Sequence, residues 1–84
     1  MLELYQDEDC PHSTDVREKL AELGVTYVIH NPRSVDGDVR NETSHRRLVE
    51  EGGQDQIPYL VDADRETTLY ESDDIVAHLE EHYA

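Results

Sequence analysis

The sequence predicts a small α/β domain with elements in the order β-α-β-α-β-β-α. Three observations carry that prediction. Short apolar or β-branched runs alternate with segments of helical spacing. The first three elements form a strand–helix–strand unit, which implies parallel strands and a right-handed crossover. The last two strands are separated only by a polar turn, the pattern of an antiparallel hairpin. With 84 residues, a single domain spanning 1–84 is expected, burying roughly 60–65% of its unfolded surface around one compact core.

Each element has a local justification. Leu2 and Leu4 alternate with Glu3 and Tyr5, giving a first strand with one buried face. From Pro11 to Leu23, Val16, Leu20 and Leu23 fall at helical spacing; proline suits the first helical position and Gly24 stands where the helix should stop. Thr26 to Ile29 is β-branched and aromatic, bounded by Gly24 and by Asn31-Pro32, and reads as the second strand. Asn31 to Asn41 has no period and reads as a loop. A second helix is expected from Thr43 or Ser44 to Glu51, with Leu48 and Val49 inward and Gly52-Gly53 ending it. Ile57 to Val61 is the third strand, Asp62 to Glu66 a turn, and Thr67 to Tyr70 the fourth strand. Ser72 is a good N-cap for the last helix, with Asp73 and Asp74 where the helix dipole favours acids. Ile75, Val76, Leu79 and Tyr83 form its expected buried stripe.

Composition narrows the function. There are 21 acidic and 7 basic residues, a net charge of -14, and a single lysine, Lys19. Nucleic acid is excluded as a partner, because its binding needs a basic footprint. The acids are scattered along the chain, and phenylalanine and tryptophan are absent. That pattern suits a solvated coat for concentrated salt, where the Debye length is only about 3 Å, so a halophilic protein is expected. No signal segment or membrane-length apolar run is visible, so the expectation is a cytoplasmic monomer that does not engage membranes.

The chemistry centres on Cys10, the only cysteine, which rules out an internal disulfide. A lone cysteine is more often a small buried hydrophobe. Here it sits between a strand and a helix whose first residue is Pro11, which makes it the expected N-cap. A sulfur near free backbone N–H groups is favoured as the thiolate, the nucleophilic form. Asp7, Glu8 and Asp9 stand just before it and should oppose that effect. His78 and His82 are four apart on the last helix, a spacing that binds metal only with further ligands; an exposed pair and no metal site are expected.

The element order, with Cys10-Pro11 at the first helix start, resembles the thioredoxin fold: a four-stranded mixed sheet with helices on both faces. More narrowly it resembles glutaredoxins and the N-terminal domain of glutathione S-transferases. Three motifs carry the resemblance. Cys10-Pro11-His12-Ser13 is similar to the glutaredoxin Cys-Pro-Tyr-Cys, with serine for the second cysteine. Ile57-Pro58 is similar to the family's Val-Pro, whose proline follows a cis peptide bond facing the active cysteine. Glu71-Ser72-Asp73-Asp74 is similar both to the transferase Glu-Ser and to the glutaredoxin pair of aspartates.

The resemblance implies a monothiol glutaredoxin-like thiol–disulfide oxidoreductase. Cys10, Pro11 and Ser13 would form the catalytic turn, with Ser13 either bonded to the Cys10 sulfur or facing solvent. A small γ-glutamyl thiol, glutathione or γ-glutamylcysteine, would lie against His12, Ile57, Pro58, Glu71, Ser72 and Asp73. Its partners would be that thiol and thiolated proteins. The family also places a basic side chain toward the glycine end of glutathione; Arg46 or Arg47, and less favourably Arg40, are the candidates. Two alternatives stand beside this reading. One is an iron–sulfur carrier, as in monothiol relatives with Cys-Gly-Phe-Ser, although proline replaces that glycine here. The other is a non-catalytic thiol-binding module like the transferase N-terminal domain.

Overall fold

A computed structural model of the protein describes residues 1–84. The elements are β1 (Leu2–Tyr5), α1 (Pro11–Leu23), β2 (Tyr27–His30), α2 (Glu42–Gly52), β3 (Tyr59–Asp62), a 3-10 turn (Ala63–Arg65), β4 (Thr67–Leu69) and α3 (Ser72–Tyr83). They form one mixed sheet in the order β2-β1-β3-β4. β1 and β2 are parallel, as the crossover requires, and the other two pairings are antiparallel.

Strand alternation sends two sets of side chains to opposite faces. Leu2, Leu4 and Leu60 meet Val16 and Leu20 of α1 and Ile75 and Leu79 of α3, and this is the main core. Tyr5 and Tyr59 point the other way and pack with Leu48 of α2, backed by Tyr70. The helices therefore cover both faces, with α1 and α3 together and α2 opposite. β2 forms one edge of the sheet and leaves Val28 and Ile29 exposed at 42% and 43%. No helix is long and apolar enough to cross a membrane.

α1 spans the expected residues, ending on Gly24 in the left-handed region at φ 67. Other boundaries differ for identifiable reasons. β3 begins at Tyr59 rather than Ile57, because β1 runs out at Tyr5, opposite Tyr59, and Pro58 has no N–H to pair. It extends to Asp62, opposite Leu2. β2 is shifted to Tyr27–His30, in register with β1. β4 ends at Leu69, one residue short of Tyr70. α2 starts at Glu42 because the Asn41 side chain accepts the Ser44 N–H at 2.9 Å.

Two helix-face expectations are also corrected. Val49 is 36% exposed, since Ser44 and Leu48 already occupy the inward stripe and the next residue rotates about 100° away. Val76 is half-buried for the same reason beside Ile75 and Leu79. The N-cap of α3 is Glu71, not Ser72, and Glu71 makes no side-chain cap hydrogen bond.

The expected exposed histidine pair is corrected too. His78 is largely covered, its Nε2 2.8 Å from Asp62 Oδ2. Asp62 is fully buried at the end of β3, and the same oxygen accepts from Tyr83 Oη at 3.1 Å and Arg65 Nη1 at 3.3 Å. Burial opposes its ionisation, but the His78 and Tyr83 hydrogen bonds and the Arg65 charge outweigh that and hold the carboxyl below its ordinary range. This network ties the second half of α3 to the sheet.

Candidate functional site

The turn before α1 is built by backbone and buried polar groups. The Cys10 N–H donates to Asp7 O at 3.1 Å, closing a tight turn. Cys10 takes extended dihedrals (φ -86, ψ 116) as the α1 N-cap, with Pro11 at the helix start. Its carbonyl receives the Thr14 N–H at 3.0 Å and the Thr14 hydroxyl at 3.2 Å. Its sulfur accepts no capping hydrogen bond, and the residue is 6% exposed.

Ser13 neither caps the sulfur nor faces solvent. It is fully buried, and its oxygen accepts the Asp7 N–H at 3.4 Å, bracing the turn from inside. Asp7 is 1% exposed; its carboxylate accepts from Arg40 Nη1 at 2.7 Å and from the Val35 N–H at 3.2 Å. Glu8 pairs with Arg17 at 3.2 Å. The expected crowd of free carboxylates before the thiol is thus reduced, because two of the three charges are answered. Arg40 is committed to Asp7 rather than to a ligand.

Next to this turn lies a cleft of about 260 Å³. Its walls bring together His12 from α1, Ile57 and Pro58 ahead of β3, and Glu71, Ser72 and Asp73 at the start of α3. The Ile57-Pro58 peptide bond is cis. His12 Nδ1 stands 3.5 Å from Ser72 Oγ, linking the two helix starts. Because Glu71 leaves the α3 terminus uncapped, first-turn N–H groups there have no side-chain acceptor. Cys10, Pro11 and Ser13 are not on the cleft wall, although they flank His12 in the chain.

Asp15, Gln56 and Tyr70 complete the wall and were missed in the sequence. Asp15 was findable, since it lies three residues after His12 on the same helix face. Gln56 Nε2 donates to Glu71 Oε1 at 3.1 Å. The Tyr70 hydroxyl accepts the Gln54 N–H at 3.0 Å and lies 3.1 Å from Gln54 O, while its ring stacks on Tyr59 at 4.5 Å. The segment before Ile57 is also clamped at Asp55, which takes Arg33 Nε at 2.6 Å and His45 Nε2 at 3.1 Å. Partial burial works against the Asp55 charge, but these two bonds prevail and keep its carboxyl below the usual range. Arg46 and Arg47 do not reach the cleft wall. Arg46 lines a larger hollow of about 430 Å³ along α2 that shares no residue with the cleft, and Arg47 pairs with Glu51 at 3.7 Å.

Residues 4–84 match the family model of the glutathione S-transferase N-terminal domain. The chain belongs to that family. Among curated proteins none matches. Of solved structures, a diazinon-metabolizing glutathione S-transferase of the silkworm Bombyx mori is 28% identical with a TM-score of 0.75. It is covered over 38% of its length by 99% of this chain. Glutathione S-transferase 1-6 from Anopheles dirus species B is 26% identical, with a TM-score of 0.77 over 98% of this chain and 36% of its own. The chain thus spans under two-fifths of the length of these transferases. A thioredoxin-like protein, BC3987, is 22% identical with a TM-score of 0.74 over 96% of both chains, which shows the fold alone. The fold is therefore thioredoxin-like, in the form of the transferase N-terminal domain.

Proposed function

We propose that this domain carries out thiol–disulfide exchange with a small γ-glutamyl thiol of the glutathione class, Cys10 being the attacking sulfur. One observation carries the reading: a single cleft gathers His12 from the Cys10 helix, the Ile57-Pro58 bend and the uncapped start of α3. The α3 amides suit the α-carboxylate of a γ-glutamyl group, as helix N-termini suit anions. Glu71 or Asp73 beside them suits its ammonium. The two solved transferases also bear glutathione in their names.

With no second cysteine the exchange is monothiol. The Cys10 thiolate attacks the cysteinyl sulfur of the γ-glutamyl thiol in a mixed disulfide, forming a new S–S bond as the old one to the substrate breaks. The substrate leaves as a thiolate and takes a proton from water. A second small thiolate then attacks the disulfide on Cys10, regenerating the Cys10 thiolate and releasing a small-molecule disulfide.

A second reading, a thiol-binding module without turnover, draws support from the 6% exposure of Cys10 and its absence from the cleft wall. Mass spectrometry of the protein treated with oxidised glutathione separates the two. A Cys10 adduct that forms quickly, is reversed by glutathione and is absent in Cys10→Ser is the expected outcome. An inert Cys10, with S-methylglutathione still binding by NMR titration, would leave only the module. No binding at all would overturn both.

A further inference from the structure

Resting on the reading of this cleft as a γ-glutamyl thiol site, we propose that it selects thiols whose end remote from the γ-glutamyl group carries no carboxylate. The walls hold three carboxylates, Asp15, Glu71 and Asp73, and no lysine or arginine. The anion-seeking backbone there is the starts of α1 and α3: the α1 start lies behind the Cys10 sulfur, and the α3 start takes one carboxylate of the ligand. A second carboxylate finds no positive partner and meets like charge instead.

The rest of the chain supplies no cation to make up the difference. Arg17, Arg33, Arg40 and Arg65 are held by Glu8, Asp55, Asp7 and Asp62. Arg47 faces Glu51, and Arg46 sits with Glu42 and Glu50 in the hollow along α2. Lys19 is shared by Glu22 and Glu80 at 3.3 and 3.4 Å. It lies in the groove between α1 and α3, where Asp15 and Asp73 reappear with Glu18 and Glu22 and extend the negative field beyond the cleft. A concave site lined by one sign of charge concentrates the opposite sign and repels its own. A neutral or cationic far end therefore enters on better terms than the free glycine carboxylate of glutathione. His12 carries the only basic nitrogen on the walls, and its Nδ1 already faces Ser72.

The test compares equilibrium binding of S-methylglutathione with that of its glycine ethyl ester, followed by NMR titration of the full chain at low ionic strength. The ester is expected to bind roughly tenfold more tightly, the scale on which a focused field acts. The ratio should narrow in Asp15→Asn and approach one in 1 M KCl, where screening acts over about 3 Å. An ester that binds no better overturns the inference and leaves the thiol-site reading intact. So does a preference insensitive to both KCl and Asp15→Asn, because that is apolar contact by the ethyl group. If neither ligand binds, the thiol-site reading falls and this inference with it.

Discussion

Removing Arg40, a side chain half exposed to solvent, should cost more than a surface ion pair is worth. Exposed pairs contribute only about 0–1 kcal/mol. Arg40, however, answers a carboxylate that is 1% exposed, and the sole other donor to that carboxylate is the Val35 N–H at 3.2 Å. Truncating one partner of a buried charge leaves the other uncompensated, at about 3–5 kcal/mol for a fully enclosed pair. Discounting for the exposed guanidinium gives about 2–3 kcal/mol for Arg40→Ala. In a domain of this size that lowers Tm by about 10–20 °C.

The companion Asp7→Asn keeps the shape, can still accept the Val35 N–H and needs no counterion, so it should cost only about 1–2 kcal/mol. The double variant Asp7→Asn with Arg40→Ala should then be more stable than Arg40→Ala alone. Urea denaturation of the four proteins at neutral pH and low salt measures the cycle. Amide exchange should show Ser34 to Arg40 losing protection in the single arginine variant, since Asp7 anchors that loop through Val35. The reasoning is refuted if Arg40→Ala stays within about 0.5 kcal/mol of the parent, or if the double variant is no more stable than Arg40→Ala.

Two further outcomes concern α3 and the cleft. Asp62→Asn should destabilise by about 2–4 kcal/mol, because three donors converge on one buried oxygen. Since folding depresses the Asp62 pKa, its contribution is complete above the unfolded value of about 3.9 and is lost as pH falls through the lower folded value. The gap between parent and variant in acid-titrated melting curves should close in that window and stay constant at neutral pH. Gly52→Ala places a methyl group on the Tyr70 hydroxyl, against the Tyr59 ring. It should weaken S-methylglutathione binding several-fold in the same NMR titration by displacing Tyr70 from the cleft wall, although Gly52 lies outside the cleft.

Much of the architecture was legible because it depends on patterns the backbone imposes locally. Leu2 and Leu4 alternate, Pro11 and Gly24 bracket α1, and both motifs that meet at the cleft, Ile57-Pro58 and Glu71-Ser72-Asp73, lie where the chain turns toward one end of the sheet. The errors fall where a distant partner decides. The start of β3 is set by where β1 ends, and nothing within Ile57 to Val61 records that. Asp7 reads as one of three acids set against the Cys10 thiolate, Asp62 as the start of a turn and His78 as half of an exposed pair, yet each is covered because a donor or acceptor arrives from another element. The sequence offers Ser13 either the Cys10 sulfur or solvent, whereas its partner is the Asp7 amide six residues back. Arg46 and Arg47 followed from the resemblance, and α2 turns them away from the cleft.

The open side of β2 has a practical bearing on handling. A strand with one unpaired row of amides and carbonyls, carrying Val28 and Ile29 outward, is a template for another copy to add onto. At neutral pH the surplus of fourteen negative charges holds copies apart. Near the isoelectric point of about 4.4 that colloidal protection vanishes. Buffers in that range invite edge-to-edge stacking and precipitation, so purification and crystallisation trials belong well above it.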